Sequence, residues 1–103
     1  MRTFRYTKIE EQLALRIAER IICIEQKSQQ DAILQNAPEF LRPLIKGLVS
    51  SSELIQNREI AKRIANLKGI EARNAALAKI SFASQESIKR MATAIFFKNR
   101  HPL

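Results

Sequence analysis

Apolar side chains at Ile9, Leu13, Ile17, Ile21 and Ile24 recur at intervals of four, four, four and three residues. That spacing comes back to one side of an α-helix at each turn and does not fit the strict alternation of a half-buried strand. Thr7 with Glu10 three residues later forms a capping box: hydroxyl and carboxylate each accept a backbone N–H that the first turn leaves free. The spacing predicts a helix from Thr7 to about Lys27, with Leu15, Ile22 and Cys23 widening its apolar face. As the longest element it is the expected spine of the core.

The same logic continues along the chain, which has only two glycines and three prolines in 103 residues. Ser28 with Asp31 repeats the capping pattern, so a bend is expected there, with helix continuing to Gln35. Asn36-Ala37-Pro38-Glu39 is a further start signal. Pro43 donates no hydrogen bond and disfavours helical geometry at Arg42, so residues 37–49 should form two short turns or a kinked helix. Ser50 with Glu53 predicts a cap for a helix over about Glu53 to Lys68, with Leu54, Ile60, Ala61, Ile64 and Leu67 inside. Gly69 suits its C-terminal cap. An alanine-rich helix should follow from about Ile70 to Ile80, its Ala72, Ala75, Ala76 and Ala78 permitting close helix–helix approach. A last helix should start after a Ser84 cap and run to about Lys98. The expected fold is all-α: one compact domain of five to six helices with short connections. Residues 1–6 are expected to form an N-terminal arm and residues 99–103 a basic tail.

Charge is unevenly placed. The net charge is +8; residues 1–52 contribute +2 and residues 53–103 contribute +6. A basic surface attracts nucleic acid, anionic membrane or an acidic protein. No apolar run approaches the roughly 18–20 residues that span a bilayer, and no apolar stretch follows the charged N-terminus as in a signal peptide. Cys23 is the only cysteine; in Ile21-Ile22-Cys23-Ile24 it reads as a buried small side chain, and a reducing cytoplasm is the expected compartment. His101 is the only histidine, and one His with one distant Cys makes neither a metal site nor a catalytic pair. With two glycines there is no phosphate-cradling loop. Glu10 and Glu11 lie where a helix start favours negative charge for structural reasons. The chain is therefore expected to be a non-enzyme without cofactor or metal.

The stretch AALAKISFASQESIKRMATAIFF, residues 75–97, holds a helix end, a turn at Ser81-Phe82-Ala83, and a capped second helix with Ile88, Met91, Ala92, Ile95 and Phe96 at helical spacing. This resembles the helix-turn-helix DNA-binding superfamily. The resemblance implies that Ala78 is the small residue where the helices cross and that Leu77 faces the core. Ile88 and Met91 would anchor the recognition helix, and Gln85, Glu86, Lys89 and Arg90 would be exposed near its start. Two positions depart from the pattern: Phe82 stands where glycine is usual, and Ser81 where an apolar residue is usual.

Two functions follow. The first is a small DNA-binding regulator or accessory protein that meets duplex DNA through Gln85, Lys89, Arg90, Arg58, Lys62, Arg63, Lys98 and Arg100. The long first helix is available there as a homodimer interface. The second is an adaptor, chaperone or inhibitor docking on a larger acidic or apolar protein partner. The apolar surplus over Leu41–Val49 and the alanine-rich helix support it. Neither reading needs a membrane.

Overall fold

The computed structural model describes residues 6–100, with side chains as far as Phe97. These residues form six α-helices and one short 3-10 turn, and no strand among them. The all-α expectation is met. The chain folds as two compact units, with the division between Ser51 and Ser52.

In the first unit, α1 spans Lys8–Ile22. Its capping box forms as predicted: the Glu10 N–H donates to the Thr7 hydroxyl at 3.1 Å, and the Thr7 N–H donates to a Glu10 carboxylate oxygen at 2.8 Å. The helix stops at Cys23, short of the expected Lys27. Four β-branched or poorly helix-forming residues, Ile21 to Ile24, weaken this end. The Gln30 carboxamide then donates to the carbonyls of Ile21 and Ile24, replacing the partners a continuing helix would bring. Cys23 is half-buried at this cap.

The buried face of α1 also differs from the expected one. Ala14 and Ala18 are fully buried with Ile21 and Ile22, whereas Ile9 is 79% and Leu13 45% exposed. Small side chains on the buried side of α1 allow a neighbouring helix to come close, since axis separation depends on the contact side chains.

Helix α2 spans Lys27–Asn36 and buries no residue. It starts without a side-chain cap, so the Ser28–Asp31 box does not form, and Asn36 ends this helix rather than capping the next. The Arg42 guanidinium donates to the carbonyls of Gln35 at 2.8 Å and Ala37 at 3.3 Å, closing that end. A 3-10 turn over Glu39–Leu41 leads into α3, Arg42–Val49. Arg42 is helical despite the following proline, at φ −56° and ψ −44°. The Tyr6 hydroxyl donates to the Phe40 carbonyl at 3.0 Å. Helix α1 packs on both α2 and α3. Leu41 and Ile45 are fully buried and Leu44, Leu48 and Val49 half-buried, so most of the apolar surplus at 41–49 serves the core.

Ser50 is the C-cap of α3, with its N–H donating back to the Lys46 carbonyl at 3.2 Å, and not the predicted cap of the next helix. The Ser51 hydroxyl donates to the Leu48 carbonyl at 2.8 Å.

The second unit opens with α4, Ser52–Ala65, which buries Leu54, Asn57, Ala61, Ile64 and Ala65. It ends three residues before the expected Lys68, so Leu67 is left 38% exposed in the connection. Gly69 has φ +91°, the region glycine enters without a Cβ penalty. It is the N-cap of α5, Ile70–Ala78, rather than the C-cap of α4. No residue of α5 is fully buried, and Ala72, Ala75 and Ala78 are exposed, so the alanines do not make the expected close helix contact.

The longest helix is α6, Phe82–Arg100, at 19 residues, four more than α1. It begins two residues before Ser84. The Ser81 carbonyl accepts the Ser84 and Gln85 N–H groups at 3.0 and 3.2 Å, which places Ser81 at the cap and Ser84 inside the first turn. Ile88, Met91, Ala92 and Ile95 are buried, as their spacing predicts, and α6 packs chiefly on α4.

Candidate functional site

Helices α5 and α6 are joined by three residues, Lys79, Ile80 and Ser81. The α5 end is closed from across the turn. The Gln85 carboxamide donates to the Leu77 carbonyl at 3.2 Å and to the Ile80 carbonyl at 2.9 Å. Both amide hydrogens are thereby committed to the turn, and Gln85 is half-buried rather than presented to a ligand. The arrangement repeats that of Gln30 at the end of α1.

The other residues expected to meet DNA fall into distinct settings. Lys89 and Arg63 are exposed. Arg90 is half-buried. Arg58 and Lys62 share one carboxylate, that of Glu59, at 3.1 and 3.9 Å. Such partly exposed pairs are weakly held and release under competition. Lys98 and Arg100 lie in the last turn of α6, but their side chains are outside the described residues. Ala78, expected where the two helices cross, is exposed, and Leu77 is half-buried.

The structure brings Lys89 together with residues that sequence reasoning did not single out. A groove of about 210 Å³ lies among α4, α5 and α6. Ile64, Ile70, Leu77, Ala92 and Phe96 give it an apolar floor, and Arg73, Asn74, Lys89 and Thr93 its polar rim. The Arg73 guanidinium carbon stands 4.8 Å from the centre of the Phe96 ring, a cation–π distance. The same guanidinium donates to the Leu67 carbonyl at 3.2 Å. A shallower depression on the other side of Arg73 and Phe96 adds Asn66, Leu67 and Lys68. Neither lining includes a carboxylate. The groove of the first unit, under α1, α2 and α3, is different: Asp31 and Lys46 both line it, so its charges cancel.

Among the described residues no three His, Cys, Asp or Glu side chains gather as a metal site would need. No helix among them is long and apolar enough to cross a membrane. Compared with known proteins, the chain matches no family model, no curated protein and no solved structure.

Proposed function

We propose that this chain is a non-enzymatic nucleic-acid-binding protein, a DNA-binding regulator or accessory factor of the cytoplasm. On this reading it meets the duplex through α4–α6. One observation carries the reading: Arg63, Lys68, Lys79 and Lys89 are all exposed and have no carboxylate partner among the described residues. Cations left open in this way can neutralise phosphates and release the counterions that drive such binding. The three-residue turn between α5 and α6, locked by Gln85, supports assigning α6 as the element that lies against the duplex. Lys89 is then the central contact, with Arg63 and Lys68 positioning the backbone.

The test is binding of the purified protein to random duplex DNA across a salt series. Four phosphate contacts give a log–log slope of roughly −3 to −4. Replacing Lys89 and Arg63 with alanine should flatten that slope by about 2 while leaving the circular dichroism unchanged. A wild-type protein that does not bind DNA at low salt, or a double variant with the wild-type slope, removes the assignment.

A further inference from the structure

We propose that the groove among α4, α5 and α6 is a docking site for an acidic amphipathic helix of a partner protein. This is independent of DNA binding, because it rests on the floor of the groove rather than on its charge alone. A phosphate backbone would use Lys89 and Arg73 but brings nothing apolar to cover the exposed Ile70 and the half-buried Leu77 that line the groove above the buried Ile64 and Ala92. Ile70 at the groove is 66% exposed and Leu67 in the adjoining depression 38%, so the exposed apolar surface here is shared by two residues beside the Arg73–Phe96 pair. The occupant must therefore supply apolar side chains together with its negative charge.

The groove of about 210 Å³ shares Arg73 and Phe96 with the neighbouring depression, so the two together offer an extended surface that suits side chains projecting from a larger partner. Helix-in-groove recognition works in this way, with apolar anchors at i, i+3 or i+4 and i+7 entering a groove between helices. The rim sets the sign of the flanking charges. Arg73 and Lys89 are its only ionisable groups, and both are cations. Arg73 is held in place by Phe96 and by the Leu67 carbonyl, so it is oriented before a partner arrives. Carboxylates beside the apolar anchors would meet those two groups, while like-charged segments would be repelled.

The experiment uses the full chain and three labelled synthetic helices of about 18 residues, roughly 27 Å long, followed by fluorescence anisotropy. One peptide carries leucine anchors flanked by glutamates. The second keeps the glutamates and has serine for leucine. The third keeps the leucines and has lysine for glutamate. The first should bind at least ten-fold more tightly than either of the others. Asn74→Trp puts a large ring on the exposed rim of the groove without touching the core, and Lys89→Glu reverses one rim charge. Each should weaken the first peptide at least ten-fold, with an unchanged circular dichroism spectrum. Equal binding of the leucine and serine peptides would overturn the proposal, because it would show charge alone at work. Full affinity in the folded Asn74→Trp variant would overturn it as well, by placing the peptide elsewhere. Loss of DNA binding in the salt series, with peptide selectivity intact, would remove the nucleic-acid reading and leave this one standing.

Discussion

Gln85 offers the sharpest test of how the second unit is held together. Its carboxamide donates to two carbonyls at the end of α5, those of Leu77 and Ile80, at a half-buried position. A net intramolecular hydrogen bond is worth about 0.5–1.5 kcal/mol, so Gln85→Ala should cost about 1–3 kcal/mol. Gln85→Glu should cost more, although it preserves the shape. Its carboxylate has no hydrogen to donate and turns negative oxygens toward two carbonyl oxygens. The pH dependence follows from the same contact. The introduced carboxyl titrates above its unfolded value because its charged form is opposed in the fold. The extra destabilisation is therefore present at neutral pH and diminishes as pH falls through the folded pKa, since protonation restores one donor. Urea unfolding at neutral pH and near pH 4, always referred to the wild type, measures both effects. Amide exchange should show the loosening concentrated in α5, which has no fully buried residue to hold it otherwise. If both variants unfold within about 0.5 kcal/mol of the wild type, the range of an ordinary surface change, the bonds at the turn are not holding α5.

Other outcomes follow from the same structure. The two glycines should respond with opposite signs: neither has an atom within 4 Å of an added Cβ, so only the backbone decides. Gly69→Ala, at φ +91° and ψ 142°, should destabilise by about 1–3 kcal/mol, and Gly47→Ala inside α3 should stabilise by about 0.5–1 kcal/mol in the same unfolding assay. Met91→Ala should cost about 2–5 kcal/mol because Met91 is only 1% exposed. Phe82→Ser, at 87% exposure, should stay within about 0.5 kcal/mol of the wild type; a larger loss would mean that Phe82 is covered in solution.

The helical class and much of the core were readable from spacing alone, since Ile88, Met91, Ala92 and Ile95 are buried where a helical period puts them. The Thr7–Glu10 box was readable because the pattern and the extended backbone coincide there, with Thr7 at ψ 163°. The predicted serine caps failed for the lack of that second condition. Ser50 has helical dihedrals as the cap of α3, and Ser84 lies within a turn that begins at Ser81. A residue pattern does not specify which dihedrals the preceding chain will impose. The inner face of α1 was misread for a different reason: hydrophobicity favours Ile9 and Leu13, but the side that the fold buries carries Ala14 and Ala18, whose small side chains permit close helix packing. The groove was hidden because it needs residues of three helices. Arg73 and Phe96 show no shared pattern in sequence, and only the packing of α5 on α4 and α6 brings their helices to one surface.

The boundary between Ser51 and Ser52 has a kinetic consequence. The pairing of α1 with α2 and α3 is complete within the first unit, before any residue of α4 is needed. Ribosomes add roughly 5–20 residues per second, so the second half takes a few seconds to appear. Helical units whose interactions are mainly local in sequence assemble in microseconds to milliseconds. The first unit thus has its partners in hand while the second is still being made. The basic, groove-bearing half is then added to a chain whose first three helices have already had time to pair.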